Sequence, residues 1–81
     1  GAITFLARFF KDWPSFSVNR QVALIDMVYN LGPAGFMKFS RMIMAINNND
    51  WTLASREALD SKWAFQVGER AKENAKLLRE G

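Results

Sequence analysis

Ser17-Val18-Asn19-Arg20-Gln21-Val22-Ala23-Leu24-Ile25-Asp26-Met27-Val28-Tyr29-Asn30-Leu31-Gly32-Pro33 is the stretch that decides the fold. Val18, Val22, Ile25 and Tyr29 form one apolar stripe at helical spacing, and Leu24, Val28 and Leu31 form a second. Most of the circumference is therefore apolar, which predicts a core helix covered by other helices. Ser17 suits an N-cap, Gly32 suits the residue just past the helix end, and Pro33 forbids continuation. One polar seam remains. Asn19, Asp26 and Asn30 lie at i, i+7 and i+11, roughly one line along the helix, ending beside Tyr29.

Working outward, the remaining segments also read as short helices. Ile3 to Lys11 pairs Phe5 with Phe9 and Leu6 with Phe10 at i,i+4, leaving Arg8 and Lys11 for water, and Pro14 stops it. Phe36, Phe39, Met42, Ile43 and Ile46 predict a third helix ending in Asn47-Asn48-Asn49. Asp50 caps a fourth, with Trp51, Ala54, Ala58 and Leu59 as its stripe. Ser61 or Asp60 caps a fifth around Trp63 to Val67, stopped by Gly68. Glu69 to Arg79 makes a sixth that buries Ala71, Ala75 and Leu78. No segment alternates like a strand. The expected fold is all-α, a compact bundle of about six short helices around a central buried helix.

Composition bounds the chemistry. Eighty-one residues allow one small domain, and with neither cysteine nor histidine it stands on apolar packing alone. Eleven aromatic residues, three of them Trp, supply that core and argue against disorder. The same inventory excludes Ser-His and Cys-His nucleophiles, thiolate or imidazole metal ligands and thiol redox, so no metal and no cofactor is expected. The formal charge of +3 is spread along the chain, unlike the clustered footprint of a nucleic-acid binder. No apolar run is long enough to span a membrane. Gly1-Ala2-Ile3-Thr4-Phe5-Leu6 lacks a preceding charged segment, which argues against a signal peptide. The opening reads as a chain cut from something longer.

Three features are not explained by core or wetted surface. Asp26, Tyr29 and Asn30 end a polar seam on an otherwise interior helix; they either satisfy neighbouring backbone or face a cleft. Trp63 and Gln66, at i and i+3, are an indole and an amide on one side of a short helix. Either Trp63 is core, or the pair is equipment for sugars, whose C–H faces stack on aromatics while their hydroxyls seek amides. Arg70 sits in the first turn of the last helix, where the helix dipole disfavours a cation by about 0.3–1 kcal/mol and an anionic partner would offset it. Glu57 and Asp60 are the one close carboxylate pair. With Arg56 and Lys62 beside them they read as solvated and ionised, not as a catalytic pair.

Tyr29-Asn30-Leu31-Gly32-Pro33-Ala34-Gly35-Phe36, then Phe39, Asp50-Trp51, Ala54, Ser61-Lys62-Trp63, Gln66 and Arg70-Ala71, together resemble the C-terminal lobe of the phage-type lysozymes (glycoside hydrolase family 24, the T-even phage lysozyme fold). The likeness runs without gaps from about Trp13 to Gly81. It implies that residues 1–12 end an interlobe region and residues 13–81 form a substrate-binding lobe. It further implies that the parent enzyme cleaves the bond between N-acetylmuramic acid and N-acetylglucosamine in peptidoglycan, at the bacterial cell wall. In that likeness Tyr29 lines the cleft, Asn30 is the amide beside it, and Trp63 packs with that amide. Arg70 pairs with the catalytic glutamate of the other lobe. The family's acid glutamate, aspartate and threonine lie in an N-terminal lobe that precedes this chain, so no catalytic residue is expected here. Met42 and Glu57 depart from the family, where a small hydroxyl and an amide face the sugar.

The expected partners are a peptidoglycan strand and the N-terminal catalytic lobe, with neither nucleic acid nor membrane. The lobe is expected as a monomer, with dimerisation open to it if Phe5, Phe9 or Phe10 is wet. The alternative reading is a non-catalytic helical interaction, inhibitor or baseplate module built on the same scaffold. A helix-turn-helix DNA binder is a third reading, and the scattered charge disfavours it.

Overall fold

A computed structural model describes all 81 residues. Six α-helices follow one another: α1 (Ala2–Phe9), α2 (Val18–Met37), α3 (Ser40–Asn47), α4 (Trp51–Leu59), α5 (Lys62–Val67) and α6 (Glu69–Glu80), with a 3-10 turn at Trp13–Ser15 after α1. There is no strand, as the sequence predicts.

Local chemistry caps three of these helices as the sequence predicts. The hydroxyl of Ser17 accepts from the Arg20 N–H, Asp50 Oδ1 from the Leu53 N–H, and Ser61 Oγ from the Ala64 N–H. Ser61, not Asp60, is therefore the cap of α5. Gly32 adopts φ 74°, ψ 162° and Gly68 φ 59°, ψ −114°, backbone that an L side chain rarely tolerates. Pro33 behaves differently from expectation. Standing just past the Gly32 break, it starts a further helical turn that runs to Met37, because its fixed φ is already helical and its missing N–H has no partner to lose. The predicted third helix is thereby split: Phe36 belongs to the end of α2, Phe39 links, and α3 begins at Ser40.

The core is aromatic at one end. Phe36, fully buried, meets Phe5, Phe9 and Phe10 edge-on with ring centroids 6.1, 6.0 and 6.3 Å apart. Leu6, Leu24, Met27, Met42 and Leu78 continue it, all without exposed surface. Phe10 is buried, leaving Phe5 and Phe9 as the partly wet members of the α1 stripe. Leu59 is also more exposed than its stripe predicts, at 42%.

The central helix is covered on one side only. Ala23, Leu24, Met27 and Val28 face the core, where α1 and α6 pack. The other stripe is largely bare: Val18 is 74% exposed, Val22 49% and Tyr29 83%, with Ile25 half-buried. Arg20, between the two faces, holds the end of α6. Its Nε donates to the Leu78 carbonyl at 2.8 Å and its Nη2 to that of Arg79 at 3.3 Å, while the guanidinium lies over the Trp51 ring at 4.4 Å. A cation at the carbonyl end of a helix is favourably placed against its dipole.

Candidate functional site

The polar seam of α2 is where two distant parts of the chain meet. Asp26 lies one helical turn before Asn30, on a helix whose other neighbouring positions are apolar, so most of its carboxylate's partners come from outside α2. Helix α6 supplies the partners. Arg70 donates through Nε to Asp26 Oδ2 and through Nη2 to Oδ1, both at 2.9 Å, the two-pronged geometry that suits guanidinium and carboxylate. One turn along, Asn74 Nδ2 donates to Asp26 Oδ2 at 2.8 Å. Asn74 is 5% exposed and so is a committed interior group. The Asp26 side chain is 20% exposed and that of Arg70 is 54% exposed.

Burial alone would raise the Asp26 pKa. The hydrogen bonds from Asn74 and Arg70, together with the positive charge of Arg70, outweigh it and hold the carboxyl below its ordinary 3.8. Asp26 is thus a fixed anion at neutral pH. It can anchor and orient Arg70, and it has no disposition to give or take a proton there.

Around this clasp the predicted site residues divide. The Asn30 amide donates to the Asp26 backbone carbonyl at 2.8 Å, within its own helix. Tyr29 extends into solvent beside it. Gln66 is exposed on α5 and Arg70 is exposed on α6. Trp63 differs: at 5% exposure it is core, packed edge-on to Phe39 with centroids 6.2 Å apart. Its indole face is therefore no sugar platform, and the i,i+3 pairing with Gln66 separates into a buried and a wetted residue. No hydrogen bond joins Trp63 to the Asn30 amide: that amide donates within α2, and the indole N–H is buried without a partner.

Neither the Asp26–Arg70 pair nor the part played by Asn74 was anticipated. The usable signal was Arg70 and Asn74 at i,i+4 on one face of α6, opposite a lone acid on an apolar helix. Arg70, in the first turn of α6, finds an anion within the chain itself, in Asp26.

Glu57 and Asp60 lie elsewhere. They line a surface cavity of about 310 Å³ with Lys38, Arg41, Phe39 and Met42, between the start of α3 and the end of α4. Both departures from the family pattern, Met42 and Glu57, are thus in this one cavity, with Met42 as its buried floor. No cluster of three acidic side chains could hold a metal ion, and no helix is long and apolar enough to cross a membrane.

Comparison with known proteins adds two relatives. The chain is 32% identical over 69 residues, 85% of its length, to the pre-baseplate central spike protein Gp5 of Enterobacteria phage T4. It is 32% identical over 53 residues, 65% of its length, to the probable T4-type lysozyme 2 of Dictyostelium discoideum. It spans 12% of the first and 31% of the second. No protein-family model matches the chain, and no solved structure does. The similarity makes this all-α domain lysozyme-like in sequence.

Proposed function

We propose that the chain is the substrate-binding, C-terminal lobe of a peptidoglycan-hydrolysing N-acetylmuramidase, with residues 1–12 leading from a separate catalytic lobe. The observation that carries this reading is the 53-residue match to a T4-type lysozyme. The geometry supports it in two ways. Tyr29 and Asn30 are exposed on α2, Asn30 and Arg70 both contact Asp26, and Gln66 is also wet, so a ring, two amides and a cation are exposed for a glycan's hydroxyl and carboxylate groups. The bare stripe of Val18, Val22, Ile25 and Tyr29 is the kind of surface a second lobe covers.

In this reading Asp26 is a positioning residue. It fixes Arg70 by one edge of the guanidinium, and the remaining exposed surface of Arg70 is turned to the glutamate of the catalytic lobe. Trp63 supports the cleft from beneath. The enzyme works on the bacterial cell wall, and this lobe alone is silent.

Fusion to a phage-type catalytic lobe tests the proposal. A folded fusion is expected to hydrolyse cell walls, and Arg70→Ala in that fusion is expected to shift the alkaline limb of its pH profile upward, because the catalytic acid loses a cation that favours its charged form and so stays protonated to higher pH. An inactive, well-folded fusion would contradict the reading.

A second reading rests on the match to the central spike protein, which covers more of the chain. There the lobe is a structural module of a larger assembly that has kept the lysozyme scaffold. It predicts a folded fusion with no hydrolysis.

A further inference from the structure

A hollow of about 440 Å³ lies at the N-terminal end of α2. Asp12 walls it from the segment after α1, Phe16 and Ser17 from the approach to α2, Arg20 from α2 itself, and Asn47 and Asn49 from the end of α3 and the loop beyond. Its volume is that of a small-molecule site, about 300–1,000 Å³. Ser17 and Tyr29 are roughly 18 Å apart along α2 at the helical rise, so the hollow is separate from the surface around Tyr29.

Two opposite charges border this hollow without meeting. Arg20 is fixed: its Nε and Nη2 donate to the Leu78 and Arg79 carbonyls, and its guanidinium lies over the Trp51 ring. Its other N–H donors are free. Asp12 is exposed and makes no ion pair. Asn49 is the one residue other than glycine at positive φ, 60°. Its Oδ1 accepts the Trp51 indole N–H at 2.9 Å, which pins that uncommon backbone and leaves Nδ2 unbonded. Asn47 is exposed with its amide unbonded. The Ser17 hydroxyl accepts from the Arg20 N–H and still has its own proton to give. Phe16, half-buried and edge-on to Trp51 with centroids 5.0 Å apart, adds an apolar wall.

We infer that this hollow binds one neutral sugar ring. A sugar hydroxyl both donates and accepts, and the lining matches it. Asp12 and Asn47 Oδ1 are the acceptors, while Arg20, Ser17 and the Asn47 and Asn49 amides are the donors. The C–H face of the ring lies against Phe16. The charges of Asp12 and Arg20 cancel, which selects against ions. A phosphate would meet the Asp12 carboxylate, and a divalent cation would have one carboxylate to hold it and a fixed guanidinium to oppose it. An apolar helix or acyl chain would strand the amides without partners. The inference does not depend on the lysozyme reading.

NMR of the indole and side-chain amide N–H groups of the 81-residue chain tests it, with N-acetylglucosamine and inorganic phosphate as the probes. The sugar, at tens of millimolar, is expected to move the Trp51 indole and the Asn47 and Asn49 amides. The Trp63 indole, buried against Phe39, should stay still. Phosphate is expected to leave all of these signals in place. Asp12→Ala and Asn47→Ala, both at exposed positions, should each weaken sugar binding about tenfold, a loss near 1.4 kcal/mol. Unmoved Trp51, Asn47 and Asn49 signals, an equal response to phosphate, or unchanged affinity in both variants would overturn the inference. A response to the sugar confined to Tyr29 and Gln66 would do so too, by leaving this hollow empty.

Discussion

Phe36→Ala is expected to unfold the chain or bring it to the edge of unfolding. Phe36 is fully buried and is the one ring that Phe5, Phe9 and Phe10 all meet edge-on. Truncating such a side chain costs about 3–5 kcal/mol, from lost burial and the cavity left behind. Total stability for a domain this size is about 4–12 kcal/mol at typical values per residue. One substitution thus removes a large fraction. In urea unfolding the midpoint should fall steeply with little change in slope. Phe65→Ala is the control: Phe65 is 92% exposed, and its loss should change stability by less than about 0.5 kcal/mol. Equal midpoints for the two variants would mean that α1 is not held to α2 by this cluster.

The second large effect concerns Asp26. Asp26→Ala removes the acceptor for buried Asn74 and for Arg70. The expected cost is about 2–3 kcal/mol, mostly from the stranded Asn74 amide, because a buried donor without an acceptor carries its full desolvation penalty. Arg70 adds less, since more than half of its side chain is in water to replace the lost partner. The pH dependence follows in sign. The folded pKa of Asp26 lies below its ordinary 3.8. The stabilisation it gives is therefore complete above the unfolded value and is lost as pH falls from there through the folded value. Wild-type stability should drop below about pH 4 more steeply than that of Asp26→Asn, which keeps the shape and has no charge to lose. Parallel acid unfolding of the two proteins would contradict this role.

These two effects differ in how legible they were. The caps at Ser17, Asp50 and Ser61 and the breaks at Gly32 and Gly68 are decided by chemistry within one helical turn, and a sequence shows that chemistry directly. The aromatic cluster was half visible. Periodicity places Phe5, Phe9 and Phe10 together on the first predicted helix, but only tertiary packing delivers Phe36 to them, by way of the extra turn that Pro33 starts. Asp26 and Arg70 are 44 positions apart, a separation across which no periodicity carries information. The same limit explains Val18, Val22 and Tyr29. Spacing shows that they share a face; it does not show that Leu24 and Met27 on the other side win the core. Trp63 is the reverse case. An indole serves as core or as a sugar platform equally well by residue type, and burial against Phe39 assigns it to the core.

Amide NMR of the chain titrated with soluble oligomers of alternating N-acetylglucosamine and N-acetylmuramic acid tests most directly the proposed glycan-recognising surface around Tyr29 and Asn30 of α2. The expected shifts gather at Tyr29, Asn30, Gln66 and Arg70. A chain whose resonances stay still at millimolar glycan, or move only at sites remote from Tyr29, would contradict it.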